Sequence, residues 1–124
     1  MKPAPELELD ERGAVRIARV HGELEISTVP AVRRELLQSV SNRDHGLVVD
    51  LTGARYIDSA GVNLLFELGE SLADRQLGFA LVVPEGGIIE RVFSIIDVTA
   101  VAPVHRTVDS AVAGIEDAFG APAA

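Results

Sequence analysis

The chain has 124 residues, of which 48% are apolar and 4% aromatic; it has no cysteine and a formal net charge of −8. One domain over residues 1–124, with a core at about 7–118 and short tails, is the expected organisation, because a chain this long buries roughly two-thirds of its unfolded surface. The absence of cysteine excludes disulfides, thiolate metal sites and a thiol nucleophile, and the acidic balance argues against nucleic acid or an anionic membrane surface as a partner.

The opening Met1-Lys2-Pro3-Ala4-Pro5-Glu6 lacks the apolar centre of a signal peptide, and no later apolar run reaches the length of a membrane span. A cytoplasmic location without membrane insertion is expected. Residues 1–6 read as a tail, Leu7 to Leu9 as the start of a strand, and Asp10-Glu11-Arg12-Gly13 as a hairpin turn. Ala14 to Val20 alternates with period two, burying Val15, Ile17, Ala18 and Val20 while Arg16 and Arg19 reach solvent. His21 to Ile26 reads as a loop or short extension. Ser27-Thr28 offers an N-cap, Pro30 suits a first helical turn, and Val32, Leu36, Leu37 and Val40 have helical spacing. Leu47 to Leu51 is a buried strand broken only by Asp50.

After Thr52-Gly53 and Tyr56-Ile57, the period becomes helical at Ser59 and stays so to about Arg75. Phe79 to Val83 forms a further buried strand, stopped by Pro84. Residues 85–95 read as a shorter helix with two glycines in its first turn. Val98 to Val104 holds a short strand, with Pro103 implying an edge. Thr107 or Asp109 caps a last helix whose stripe is Ala111, Val112, Ile115 and Phe119; residues 120–124 form a tail. Alternating strands and helices after an opening hairpin imply a mostly parallel sheet of four or five strands with about four helices, an α/β sandwich.

Ser59 therefore sits where a strand–loop segment hands over to a helix. Asp58 and Ser59 are both good N-cap residues. Read from position alone, Ser59 is a cap; the same position also exposes a hydroxyl where the helix dipole tolerates a phosphate. Around the helix, Ser59, Asn63, Glu67, Glu70 and Asp74 share one polar arc, either an ordinary solvated face or a docking surface. In the second case Leu64 and Phe66, at the borders of the apolar stripe, are expected to be partly exposed anchors.

Asp58-Ser59-Ala60-Gly61-Val62, between an apolar strand and an amphipathic helix, resembles the signature of the STAS domain, the fold of bacterial anti-sigma factor antagonists. In that family the motif runs Asp-Ser-Ser/Thr/Ala-Gly-Leu/Val. Gly22-Glu23-Leu24-Glu25, with Thr28 and the helix after it, resembles the family's Gly-x-Leu-Asp, with Glu25 where aspartate is usual. Arg91-Val92-Phe93, then Val101 to His105 and the helix containing Ala111, resembles the family's closing elements; Ile96-Asp97-Val98 replaces its Thr/Ser-Gly-Leu turn.

The resemblance implies an anti-sigma factor antagonist that binds an anti-sigma factor of the serine-kinase type and so releases a sigma factor. Phosphorylation of Ser59 by that kinase ends the complex, and a serine phosphatase restores it. Glu25, Thr28, Asp58 and Ser59 are the implied contacts on the loop side. Ala60, Gly61, Asn63, Leu64, Phe66 and Glu67 are those on the helix. A monomer or weak dimer is expected.

The alternative is a STAS scaffold that does not switch, an accessory subunit of a transporter or of a stress-sensing complex. An enzyme is the least supported reading, and no catalytic residue, cofactor or metal is expected. Ser59 lacks the Gly-x-Ser-x-Gly elbow. His21, His45 and His105 are scattered, and Gly86-Gly87 is too little for a phosphate cradle.

Overall fold

A strand that is apolar on both faces needs a layer on each side, and the central strands of this chain are of that kind. The structure, a computed structural model, describes residues 6–100 and 102–120. The elements run β1 (Glu6–Arg12), β2 (Val15–Leu24), α1 (Val29–Ser39), β3 (Gly46–Asp50), β4 (Ala54–Ile57), α2 (Ser59–Asp74), β5 (Gly78–Val82), α3 (Ile88–Ile95), a 3₁₀ turn (Val98–Ala100), β6 (Val104–His105) and α4 (Val108–Phe119). The strand order is β1-β2-β3-β5-β6, with β4 paired to β2 alone. β1 is antiparallel to β2, and the other pairs are parallel. The expected α/β sandwich, opened by a hairpin, is the one observed; the described residues carry four α-helices and six strands, where four or five strands were expected.

Period-two alternation divides the core. Ala18 and Val20 of β2, Leu47 and Val49 of β3, and Phe79 and Leu81 of β5 point into the larger cluster, with Leu36, Leu65, Leu68 and Ile89 from α1, α2 and α3. Val15, Ile17, Val48, Ala80 and Val82 point the other way, onto Ala111, Val112 and Ile115 of α4. Each fully buried Val or Leu contributes roughly 1.5–3 kcal/mol relative to exposure. Phe119, expected in the α4 stripe, is instead 55% exposed. Its ring stacks on His45 with centroids 3.6 Å apart.

Several boundaries differ from the sequence reading. β1 continues through Arg12, and the turn is Gly13-Ala14, with Arg12 opposite Val15. Gly13 has φ +59, the conformation that a two-residue turn opening on glycine requires. β2 does not stop near Val20 but passes a register shift at Gly22, where φ is +109, and reaches Leu24. That extension is what β4 pairs with. α3 starts only at Ile88, because Gly87 is extended at its N-cap. Glu90 reaches back to accept the Gly86 N–H at 2.9 Å and also pairs with Arg106. The Gly86 bond first, and Arg106 second, hold the Glu90 carboxyl below its ordinary range. Of the strand expected within 98–104, Val98 to Ala100 form the 3₁₀ turn and β6 begins at Val104. Of the expected tails at 1–6 and 120–124, Glu6 instead opens β1 and Gly120 caps α4, while the rest, and Val101, lie outside the described residues.

β3 and β5 start side by side, with Gly46 opposite Gly78. A Cβ on Gly46 would lie 2.5 Å from the Gly78 carbonyl oxygen, whereas one on Gly87 would meet nothing nearer than 3.9 Å. Backbone against backbone yields poorly, so Gly46→Ala is expected to destabilise the fold by about 1–3 kcal/mol in urea unfolding. Gly87→Ala is expected to cost less than about 1 kcal/mol by the same measurement.

Candidate functional site

The site is a corner built by two hand-overs, β2 into α1 and β4 into α2, and by the pairing of β2 with β4. Leu24 lies opposite Ile57 at the end of that ladder. The Asp58 amide donates to the Leu24 carbonyl at 3.1 Å, which carries the pairing one residue further. Asp58 then turns extended as the N-cap of α2, with Ser59 the first helical residue.

The Asp58 carboxylate joins the two sides of the corner. Oδ1 accepts the Gly61 amide at 3.0 Å, the usual bond of a cap to the first helical turn. Oδ2 accepts the Ile26 amide at 3.1 Å, across 32 residues of chain. Gly61 lets the corner close this tightly. A Cβ there would sit 2.6 Å from Ile57 Cγ1 and 2.7 Å from the Leu24 carbonyl oxygen.

Thr28 fixes the loop from within. It occupies the N-cap position of α1 but makes no side-chain cap bond to that helix. Its hydroxyl turns back: Oγ1 accepts the Glu25 amide at 3.0 Å, and the Glu23 and Glu25 carbonyls lie 2.9 and 3.1 Å away for its one proton. The Glu25 carbonyl also accepts the amides of Thr28 and Val29, each at 2.9 Å. At the rim, the Ser27 hydroxyl donates to the Glu25 carboxylate.

The structure brings most of the sequence-selected residues together and sorts them by exposure. Ser59 and Asn63 are exposed, Glu25 and Asp58 half-buried, and Ala60 and Phe66 half-buried against the larger core. Glu67 is exposed and ion-paired with Arg33 of α1 at 2.7 Å, which ties the two helices together. Glu70 and Asp74 complete the exposed arc.

Thr28 is only 5% exposed and Gly61 is buried, so both support the corner from inside. Leu64, expected as a partly exposed anchor, is 1% exposed. It packs in the core that α1, α2 and α3 share, so it offers no outer surface. Sequence reasoning missed Ile26, whose side chain is 75% exposed beside Asp58, and Tyr56, 42% exposed on β4. The available signal was an apolar residue between Glu25 and Ser27 that no periodic pattern absorbed.

The histidines are apart from this corner and from one another. His45 Nδ1 is 2.8 Å from Glu116 Oε1, His105 Nδ1 is 2.7 Å from Ser110 Oγ, and His21 faces Gly53. Among the described residues no group of three His, Cys, Asp or Glu side chains is placed to hold a metal ion. No described helix is long and apolar enough to cross a membrane.

The family model for the STAS domain matches residues 6–111. The chain belongs to the STAS domain family. No curated protein matches the sequence. Among solved structures, an anti-sigma factor antagonist from Mycobacterium paratuberculosis superposes with a TM-score of 0.81 at 22% identity, covering 92% of this chain and 96% of that one. The unphosphorylated anti-sigma factor antagonist SpoIIAA gives 0.62 at 19% identity, covering 95% and 100%. A sulfate transporter family protein from Wolinella succinogenes gives 0.68 at 17% identity, covering 83% and 85%. These likenesses establish a shared fold.

Asp58→Ala removes both carboxylate bonds. It is expected to cost about 1–2 kcal/mol, the range for a lost helix cap. Hydrogen exchange at the Ile26 and Gly61 amides should accelerate by more than exchange at the core amides of Val49 and Leu81. Asp58→Asn, which keeps one acceptor oxygen, should fall between the two.

Proposed function

We propose that this STAS-family chain is an anti-sigma factor antagonist. Unphosphorylated, it binds an anti-sigma factor of the serine-kinase type and thereby frees a sigma factor for transcription. The kinase phosphorylates Ser59 and the complex ends; a serine phosphatase returns the chain to its binding form. The chain is then the kinase's substrate rather than an enzyme, and it works in the cytoplasm without cofactor or metal.

The observation that carries this reading is the placement of Ser59: an exposed first residue of α2, at a corner held by the Asp58 carboxylate. A phosphate there adds about −1.5 to −2 charges at neutral pH. The helix dipole favours an anion at this end by up to about 1 kcal/mol, so the fold tolerates the group. A partner packed over the corner does not. It must bury a dianion beside Asp58 and Glu25, and unfavourable charge juxtaposition in an interface costs several kcal/mol. The switch is thus local charge and bulk on an unchanged scaffold.

The test is incubation with ATP and each candidate anti-sigma kinase from the same genome, followed by intact mass and peptide mapping. The expected result is a single phosphate on Ser59 and dissociation of the pair. Ser59→Ala should take no phosphate and stay bound, and Ser59→Asp should bind at least about 100-fold more weakly. No phosphate from any kinase, with stable binding to another protein that Ser59→Asp leaves intact, would favour the scaffold or transporter-subunit reading instead.

A further inference from the structure

We infer that Ile26 is the apolar anchor by which the anti-sigma kinase engages the Ser59 corner, and that it fits an apolar pocket rimmed by basic residues on that partner. The inference rests on the function proposed above and names a contact residue for the same site.

Ile26 is 75% exposed, against 1% for Leu24 two residues earlier. An exposed isoleucine adds nothing to folding by burial. A loop tip that is merely solvated also does not need its backbone held. Here it is held. The Ile26 amide is bound to Asp58 Oδ2 at 3.1 Å, and the loop is closed on both flanks through the buried Thr28 hydroxyl. The side chain is thus presented in a fixed place, with much of the entropy of ordering its backbone already spent in folding.

The same Asp58 carboxylate that holds Ile26 also caps the helix starting at Ser59. The anchor and the modifiable hydroxyl are therefore registered to one another through a single side chain.

The surroundings state the partner's chemistry. Glu23, Glu25 and Asp58 stand within three residues of Ile26 in the chain or bond to its loop. Among the described residues Arg33 pairs with Glu67, and Arg34 and Arg55 are further exposed cations of α1 and β4. An apolar tip within an acidic rim fits an apolar pocket with Lys or Arg around it. A phosphate on Ser59 then acts at the edge of this contact, adding charge where the anchor must be desolvated.

The test measures binding of the kinase that phosphorylates Ser59 to variants at Ile26. Ile26→Ala should weaken the complex about tenfold or more, the scale of an interface hot spot, and should slow phosphorylation mainly through KM. Ile26→Asp should abolish binding, and Ile26→Val should stay within about threefold of wild type. Because the side chain is exposed, thermal unfolding of Ile26→Ala should match wild type. Ile88→Ala, at the 47% exposed isoleucine of α3, should leave affinity unchanged. Wild-type affinity in Ile26→Ala would overturn the anchor while leaving the proposed function standing. A wild-type chain that binds none of the candidate kinases would overturn the function, and the anchor with it.

Discussion

One carboxylate organises the Ser59 corner of this protein. Asp58 sits between β4 and α2, and its two oxygens are divided between the first turn of α2 and the loop entering α1. Neither bond is strong alone; a charge-assisted hydrogen bond contributes about 1.5–3 kcal/mol at most. Their joint effect is geometric. The two segments that carry Ser59 and Ile26 are far apart in sequence and cannot shift independently while both bonds hold. Gly61 permits this closeness, because any Cβ there would strike Ile57 and the Leu24 carbonyl.

The sheet beneath carries the corner. β2 and β3 present apolar side chains to both layers, and Val15, Ala18, Val20, Leu47, Val48 and Val49 are each wholly inaccessible to solvent. β2 then runs beyond its partner β3, passes Gly22 and meets β4. This overhang is the platform for the site. In parallel α/β sheets the carboxyl ends of strands are the usual place for recognition, because helices start there with unpaired amides. The Ser59 corner lies at such a strand end, with Ser59 the first residue of α2.

Most of the fold was legible in the sequence because its periods are clean. The α2 pattern, with Ser59, Asn63, Glu67, Glu70 and Asp74 on one arc, kept its boundaries and its exposed face. β3 and β5, as short apolar runs, were equally plain. The failures have physical causes. β4 was missed because only its end residues, Ala54 and Ile57, are buried while Arg55 and Tyr56 both face solvent, so neither period applies. The hairpin turn was placed too early because β1 is an edge strand, exposed along nearly its whole length, and Asp10 and Glu11 read as turn residues. Leu64 was misjudged because a helix wheel treats α2 as touching one surface, whereas α2 contacts α1 as well as the sheet. At the corner, the residue types foretold the start of α2, with Asp58 as its cap and Ser59 as its first residue. Thr28's inward role and the exposure of Ile26 depend on how the loop folds back, which no local pattern encodes.

The account's central claim is that a phosphate on Ser59 changes the surface of a fixed corner and leaves the fold alone. The most direct measurement is the ¹H–¹⁵N NMR spectrum of the chain with phosphoserine incorporated at position 59, compared with the unmodified chain. The account predicts shifts confined to residues 24–28 and 58–63, with the amides of β3 and β5 unmoved and thermal stability unchanged or slightly raised. Shifts spread through β3, β5 and α4, or a marked loss of stability, would contradict it and make phosphorylation a folding switch.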